Sequence, residues 1–148
     1  MFRGSHPHSL DDKGRIIIPT RFRDYIRAGG SDAIMITGMD RCLFAYTLEG
    51  WGKVETRILS LAENSDTMRR FRRSFVGNAH ECQFDRQGRV LIPPQLRTYA
   101  ALDKEIVLVG VLNHFEVWSK ENWDKEKEAV ELDMQKVEVR DEIAKLGL

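Results

Sequence analysis

Apolar positions in this chain fall in short clusters, and the clusters recur in the same order. Ile16, Ile17 and Ile18 form a β-branched run closed by Pro19, and Val90, Leu91 and Ile92 are closed by Pro93 in the same way. A short apolar run stopped by proline predicts a strand buried on both faces. Gly14 and Gly88 each stand two residues before that run and suit a tight turn needing positive φ. Residues 7–10 and 79–84 supply partner strands, so each unit is expected to open with a hairpin. Proline at the first helical position, followed by Phe22 and Ile26 or by Leu96 and Ala100 at i and i+4, predicts a short helix in each half, the first ending at Gly29. Strands are then expected at 33–37 and 106–109, each followed by Gly38 or Gly110, and again at 43–46 and 115–118. A Trp-bearing helix closes each unit, starting near Leu48 and near Lys120.

The repetition is literal. LDDKGRIIIPTRFRDY and FDRQGRVLIPPQLRTY superpose at an offset of 74, placing Asp11 on Asp85, Gly14 on Gly88, Arg15 on Arg89, Pro19 on Pro93, Arg23 on Arg97 and Tyr25 on Tyr99. Further on the offset becomes 72 and aligns Gly38 with Gly110, Tyr46 with Trp118 and Trp51 with Trp123. The first half therefore carries two extra residues, most simply in a loop around 28–32, where no ladder or core register depends on them. One ββαββα unit is used twice, so a functional surface is expected in duplicate. The expected organisation is a first repeat over 1–64, an arginine-rich connecting helix over 65–78, a second repeat over 79–123 and a charged helical tail over 124–148. Two halves of about 70 residues would each be marginal alone, which predicts one shared core. In the connecting segment, Met68, Phe71 and Phe75 keep helical spacing while Arg69, Arg70, Arg72 and Arg73 fill the gaps. In the tail, Val139, Ile143 and Leu146 make a thin stripe of the kind that docks on its own chain or on a neighbouring subunit.

Formal charge is zero, which at first argues against a nucleic-acid partner. The distribution argues the other way: residues 1–27 hold six basic and three acidic side chains with two histidines besides, whereas 119–148 hold six basic and nine acidic. A basic front and an acidic tail cancel in the total. No apolar run of about 18 residues exists, and the N-terminus lacks the order of a secretory signal. A soluble cytoplasmic protein is expected. Cys42 and Cys82 do not correspond under the repeat and read as two reduced thiols.

The D-x-x-G-R turn carries the candidate chemistry. Asp11 and Asp85 suit a structural role, accepting backbone N–H groups and pairing with Arg15 and Arg89, while Gly14 and Gly88 allow the turn. An arginine beside such a turn also projects a planar donor fork onto phosphates or guanine edges. Arg3, Lys13 and Arg15 make the first copy the expected DNA face. Arg86 and Arg89 of the second copy supply secondary contacts or meet the next subunit. The cluster Arg69–Arg73 reads first as a solvated face or an intersubunit salt-bridge strip. A zinc site is a sharp alternative, because the repeat pairs His6 with His80 and His8 with Cys82, although ordinary zinc sites draw on tighter spacings. Enzyme readings lack support: there is no GxSxG, no glycine-rich phosphate loop and no Cys, His and acid set common to both halves. No cofactor is expected. An oligomeric protein-interaction scaffold is the competing class.

The opening MFRG, the LDDKGRIIIPTRFR block, GMDRCLFAYTLEGW, and FDRQGRVLIPPQLRTYAAL followed by VLVG and FEVWSKENW together resemble the MraZ family of bacterial transcription regulators, within the AbrB-like superfamily. The resemblance runs from Met1 to about Trp123. It implies a mixed α/β, mainly β fold, a swapped-hairpin barrel whose two halves mimic the two subunits of an AbrB-like dimer. It further implies homo-oligomeric rings, association with the nucleoid, and binding of double-stranded DNA at direct repeats upstream of the division and cell-wall gene cluster, usually as a repressor. The family's DNA-reading turn falls on residues 11–15, with Arg3 beside it. The tail after Trp123 carries no nameable motif, which leaves its role open.

Overall fold

Antiparallel pairing runs between the two halves as much as within them. The computed structural model describes residues 1–61 and 65–148, in the order β1 (Phe2–Ser9), β2 (Arg15–Ile17), α1 (Thr20–Ala28), β3 (Ala33–Met39), β4 (Cys42–Thr47), α2 (Leu48–Leu59), α3 (Asp66–Gly77), β5 (His80–Gln83), β6 (Arg89–Leu91), α4 (Pro94–Tyr99), β7 (Glu105–Leu112), β8 (Phe115–Ser119), α5 (Lys120–Asp133) and α6 (Val137–Ala144). Six strands form one antiparallel sheet in the order β1-β7-β8-β4-β3-β5, and β2 pairs with β6 in a separate ribbon. The ribbon spans the two open edges: Leu10 bridges to Ile16 beside β1, and β5 lies along β6. The result is a closed, mixed α/β barrel of the swapped-hairpin kind. The boundary expected at residue 64 falls among residues outside those described.

The opening hairpin of each unit is the first correction. β1 is taken along its whole length by β7, from Phe2 against Leu112 to Ser9 against Glu105, and β5 is taken by β3. The strand after each turn therefore crosses to its counterpart, Ile16 opposite Val90. This exchange brings Phe2, Ile16 and Phe22 of the first half into one core with Val90, Leu96 and Phe115 of the second. Phe2 sits edge-on to both Phe22 and Phe115, with centroids 5.1 Å away in each case, and burying a ring of that size contributes about 1.5–3 kcal/mol. The approach of β1 is close enough that a Cβ on Gly110 would collide with the backbone of Phe2 and Arg3.

The ribbon strands are also not buried on both faces. Ile16 and Val90 are buried, but Ile17 is 49% and Leu91 55% exposed. A three-residue strand lying on the barrel surface keeps the period of two, so its middle residue points in and its neighbours point out. Pro19 and Pro93 are the cap residues of α1 and α4, and only Pro94 stands at a first helical position. The two-residue insertion partly lengthens α1, which has nine residues against six in α4.

Thr47 and Ser119, equivalent under the repeat, cap α2 and α5 by accepting the N–H of Gly50 and of Asn122. The tail holds two helices: α5 ends at Asp133 and α6 begins at Val137, and neither has a buried residue. α3, in contrast, lies on the outer face of β3, where Phe75 packs with Tyr46, Trp51 and Ile58. The buried Thr37 hydroxyl donates to the Phe75 carbonyl at 2.6 Å, satisfying one of the carbonyls that a helix end leaves unpaired. Thr37→Val keeps the shape and strands that carbonyl, so unfolding in urea should show a stability loss of about 1–3 kcal/mol with the slope unchanged.

Candidate nucleic-acid interface

Each turn is built around one carboxylate. Asp11 Oδ1 accepts the backbone N–H of Lys13 at 3.0 Å and of Arg15 at 2.8 Å, and Oδ2 accepts Arg15 Nε at 2.7 Å. Asp85 repeats this with the N–H groups of Gln87 and Arg89, both at 2.9 Å, and with Arg89 Nε at 2.7 Å. Gly14 and Gly88 occupy the required left-handed region, with φ of 84° and 75°. The Arg15 N–H above all, then the Arg15 side chain and the Lys13 N–H, hold the Asp11 carboxyl below its ordinary value. The N–H and side chain of Arg89 do the same for Asp85.

The two turns are one construction. Arg89 Nη1 lies 4.0 Å from Asp11 Oδ2, and the Ile18 and Ile92 N–H groups donate to the carbonyls of Gly88 and Gly14 at 3.1 and 2.9 Å. The Arg97 guanidinium covers Gly14 and that of Arg23 covers Gly88, so each turn is backed by an arginine from the other half. Arg23 Nε donates to the Ile18 carbonyl at 3.0 Å, whereas Arg97 Nε is buried without a hydrogen-bond partner among the described residues.

Register then fixes what faces outward. Arg15 stands opposite Leu91 and Ile17 opposite Arg89, on the face turned away from Ile16 and Val90. That face carries two arginines, each held by Nε, with two exposed apolar side chains between them. Lys13 and Arg86 are exposed at the turn tips. Arg3 is not part of this group. It lies near the start of β1, eight residues before Asp11, which at about 3.3 Å per strand residue puts it roughly 25 Å along the chain from the turn.

Sequence reasoning found the turns and missed Ile17 and Leu91 as surface groups and Arg23 and Arg97 as their support. The Arg23–Arg97 correspondence was visible in the repeat, but its partners were not. The zinc alternative is not assembled: His6 and His8 lie on β1 and His80 and Cys82 on β5, opposite edges of the sheet with the ribbon between them. Among the described residues no three His, Cys, Asp or Glu side chains are placed to share a metal ion. Burial pushes the Cys82 thiol up to about 11.

A family model described as "MraZ protein, putative antitoxin-like" matches the chain twice, over residues 1–74 and 75–142. The chain belongs to the MraZ family. Similar proteins named Transcriptional regulator MraZ include one from Desulforapulum autotrophicum, 57% identical, and one from Desulfosudis oleivorans, 51% identical, each over the full length of both chains. A third, from Acidithiobacillus ferrooxidans, is 47% identical over 84% of this chain and 86% of its own. MraZ proteins are thus named as regulators of transcription, which is not an enzyme class, and the double match to the MraZ model coincides with the internal repeat. Among the described residues no helix is long and apolar enough to cross a membrane.

Because both turn carboxylates are depressed below the ordinary 3.8, their stabilisation is complete above that value and is lost as pH falls through the lower folded values. Asp11→Asn/Asp85→Asn should therefore be less stable than the unaltered protein at pH 6. Acid titrations followed by circular dichroism should show the two converging below pH 3.8.

Proposed function

We propose that this MraZ-family chain is a sequence-specific transcriptional regulator that reads double-stranded DNA with the outward face of the β2–β6 ribbon. The observation that carries the reading is the pair of arginines on that face, each fixed through Nε by the carboxylate of its own turn. A two-stranded ribbon fits the major groove, where an arginine fork matches guanine O6 and N7 and an apolar group matches the thymine methyl. Arg15 and Arg89 are the base-reading forks, Ile17 and Leu91 the methyl contacts, and Lys13 and Arg86 the phosphate contacts. Asp11, Gly14, Asp85 and Gly88 hold the turns. Arg3 contributes an outlying phosphate contact.

The targets of this reading are direct repeats upstream of the division and cell-wall gene cluster that includes the protein's own gene, and the effect is repression by a cytoplasmic, nucleoid-associated ring of identical subunits. One ribbon makes few phosphate contacts and would bind weakly and salt-sensitively. Several ribbons on consecutive repeats act at high effective concentration, which lets a chain of zero net charge bind DNA.

Fluorescence anisotropy against the upstream DNA and a scrambled duplex, at about 50 and 200 mM salt, tests this. Arg15→Ala should cost on the order of 1–3 kcal/mol per engaged subunit, and Arg89→Ala a similar amount. Arg3→Ala should lose less and lower the salt slope by about one. Ile17→Ala should narrow the preference over scrambled DNA while leaving the salt slope unchanged. Unaltered binding by a correctly assembled Arg15→Ala protein would sink the ribbon as the reading surface.

A further inference from the structure

The repeat breaks at its last element. At the offset of 72, α2 corresponds to α5, and α3 (Asp66–Gly77) corresponds to the stretch from residue 138 to the end, which overlaps all but the first residue of α6. In the first half α3 covers α2 and the sheet, so that Ile58 is only 7% exposed. In the second half α6 has no buried residue of its own, and Val130, the counterpart of Ile58, is 43% exposed. Val111 and Leu112 at the end of β7 are exposed as well. α6 cannot replace α3, because Phe75 corresponds to Gly147 and Met68 to Arg140. An eight-residue helix with no buried residue is also too short to be stable in water by itself.

The chemistry of the uncovered face differs from its counterpart in one respect. Val54 on α2, and Leu61 two residues past its end in the cleft beside α3, become Glu126 and Asp133. The matching surface lies on the other half. Beside α3 runs a cleft of about 340 Å³ with Ile58, Leu61, Met68 and Val76 as its apolar lining and Arg69, Arg72 and Arg73 along it. Arg70 and Arg73 are exposed and make no ion pair among the described residues, and neither does Glu126. Four arginines on one helix repel a second copy of the same helix, which disfavours an α3-to-α3 contact.

We propose that the cleft beside α3 of one copy takes the α5–α6 face of a second copy. Apolar side chains on each face exclude water, and the arginines of α3 meet Glu126 and Asp133. The two faces belong to opposite halves of the chain, so the contact is heterologous: every copy offers one of each, and such contacts form a ring where the rotation between neighbours closes. This assignment rests on the ring reading above and gives that ring its interface.

Light scattering after size exclusion, with native mass spectrometry, tests it on the full-length protein, circular dichroism confirming the fold of each variant. Arg73→Glu and Glu126→Arg should each weaken assembly tenfold or more at low micromolar concentration, shifting mass toward the 17.1 kDa single chain. Arg73→Glu/Glu126→Arg in one chain should restore the assembly. Single variants that assemble like the unaltered protein would overturn this interface and leave the ring intact, as would single variants that dissociate with no recovery in the double variant. A monomeric unaltered protein would overturn the ring and the interface together.

Discussion

The crossing of β2 and β6 is the contact on which the rest of the molecule depends. Each strand is three residues long and would be worthless as an isolated pair. What holds them is their inward residues, Ile16 and Val90, which lie in the core shared by both halves, and the arginines that reach across, Arg97 onto Gly14 and Arg23 onto Gly88. The outward positions carry Arg15, Ile17, Arg89 and Leu91. Core, turns and candidate DNA face are thus three aspects of one ribbon, and the pseudo-twofold arrangement makes the two turns neighbours, although 74 positions separate Asp11 from Asp85.

Much of this was legible in the chain because the repeat wrote it twice. The turns, their glycines at positive φ, the short helices and the paired strands around Gly38 and Gly110 all stand where the pattern puts them. What failed was partnership. An apolar triplet such as Ile16 to Ile18 does not say whether its middle and outer residues share a buried environment, and only the crossing shows that Ile17 faces out. Nor does a hairpin signal say which edge accepts the strand: Asp11 to Arg15 forms the expected turn, yet β1 spends its hydrogen bonds on β7. Arg3 seemed close to Arg15 because twelve positions separate them, but an extended strand converts most of those positions into distance.

Departures from the repeat are as informative as its matches. Thr37, which donates to α3, corresponds to Val109, which has no helix to serve. Glu126 and Asp133 stand where apolar residues would continue the core. The first half is finished by its own arginine helix, and the second is left with a face that is apolar and acidic at once, a combination suited to a basic partner and poorly suited to water.

Interleaving also has a temporal side. Phe2 is paired with Leu112, and Ile16 with Val90, so a chain emerging from the ribosome can pair neither β1 nor β2 until the partner strand in the second half has been made. The apolar residues of the early segment must wait, exposed, for partners not yet synthesised. Contacts of such long sequence separation slow folding and lengthen the interval in which strands can pair with the wrong neighbour. Fusing both halves in one polypeptide shortens that interval compared with two separate chains, because the missing partner arrives tethered instead of by diffusion.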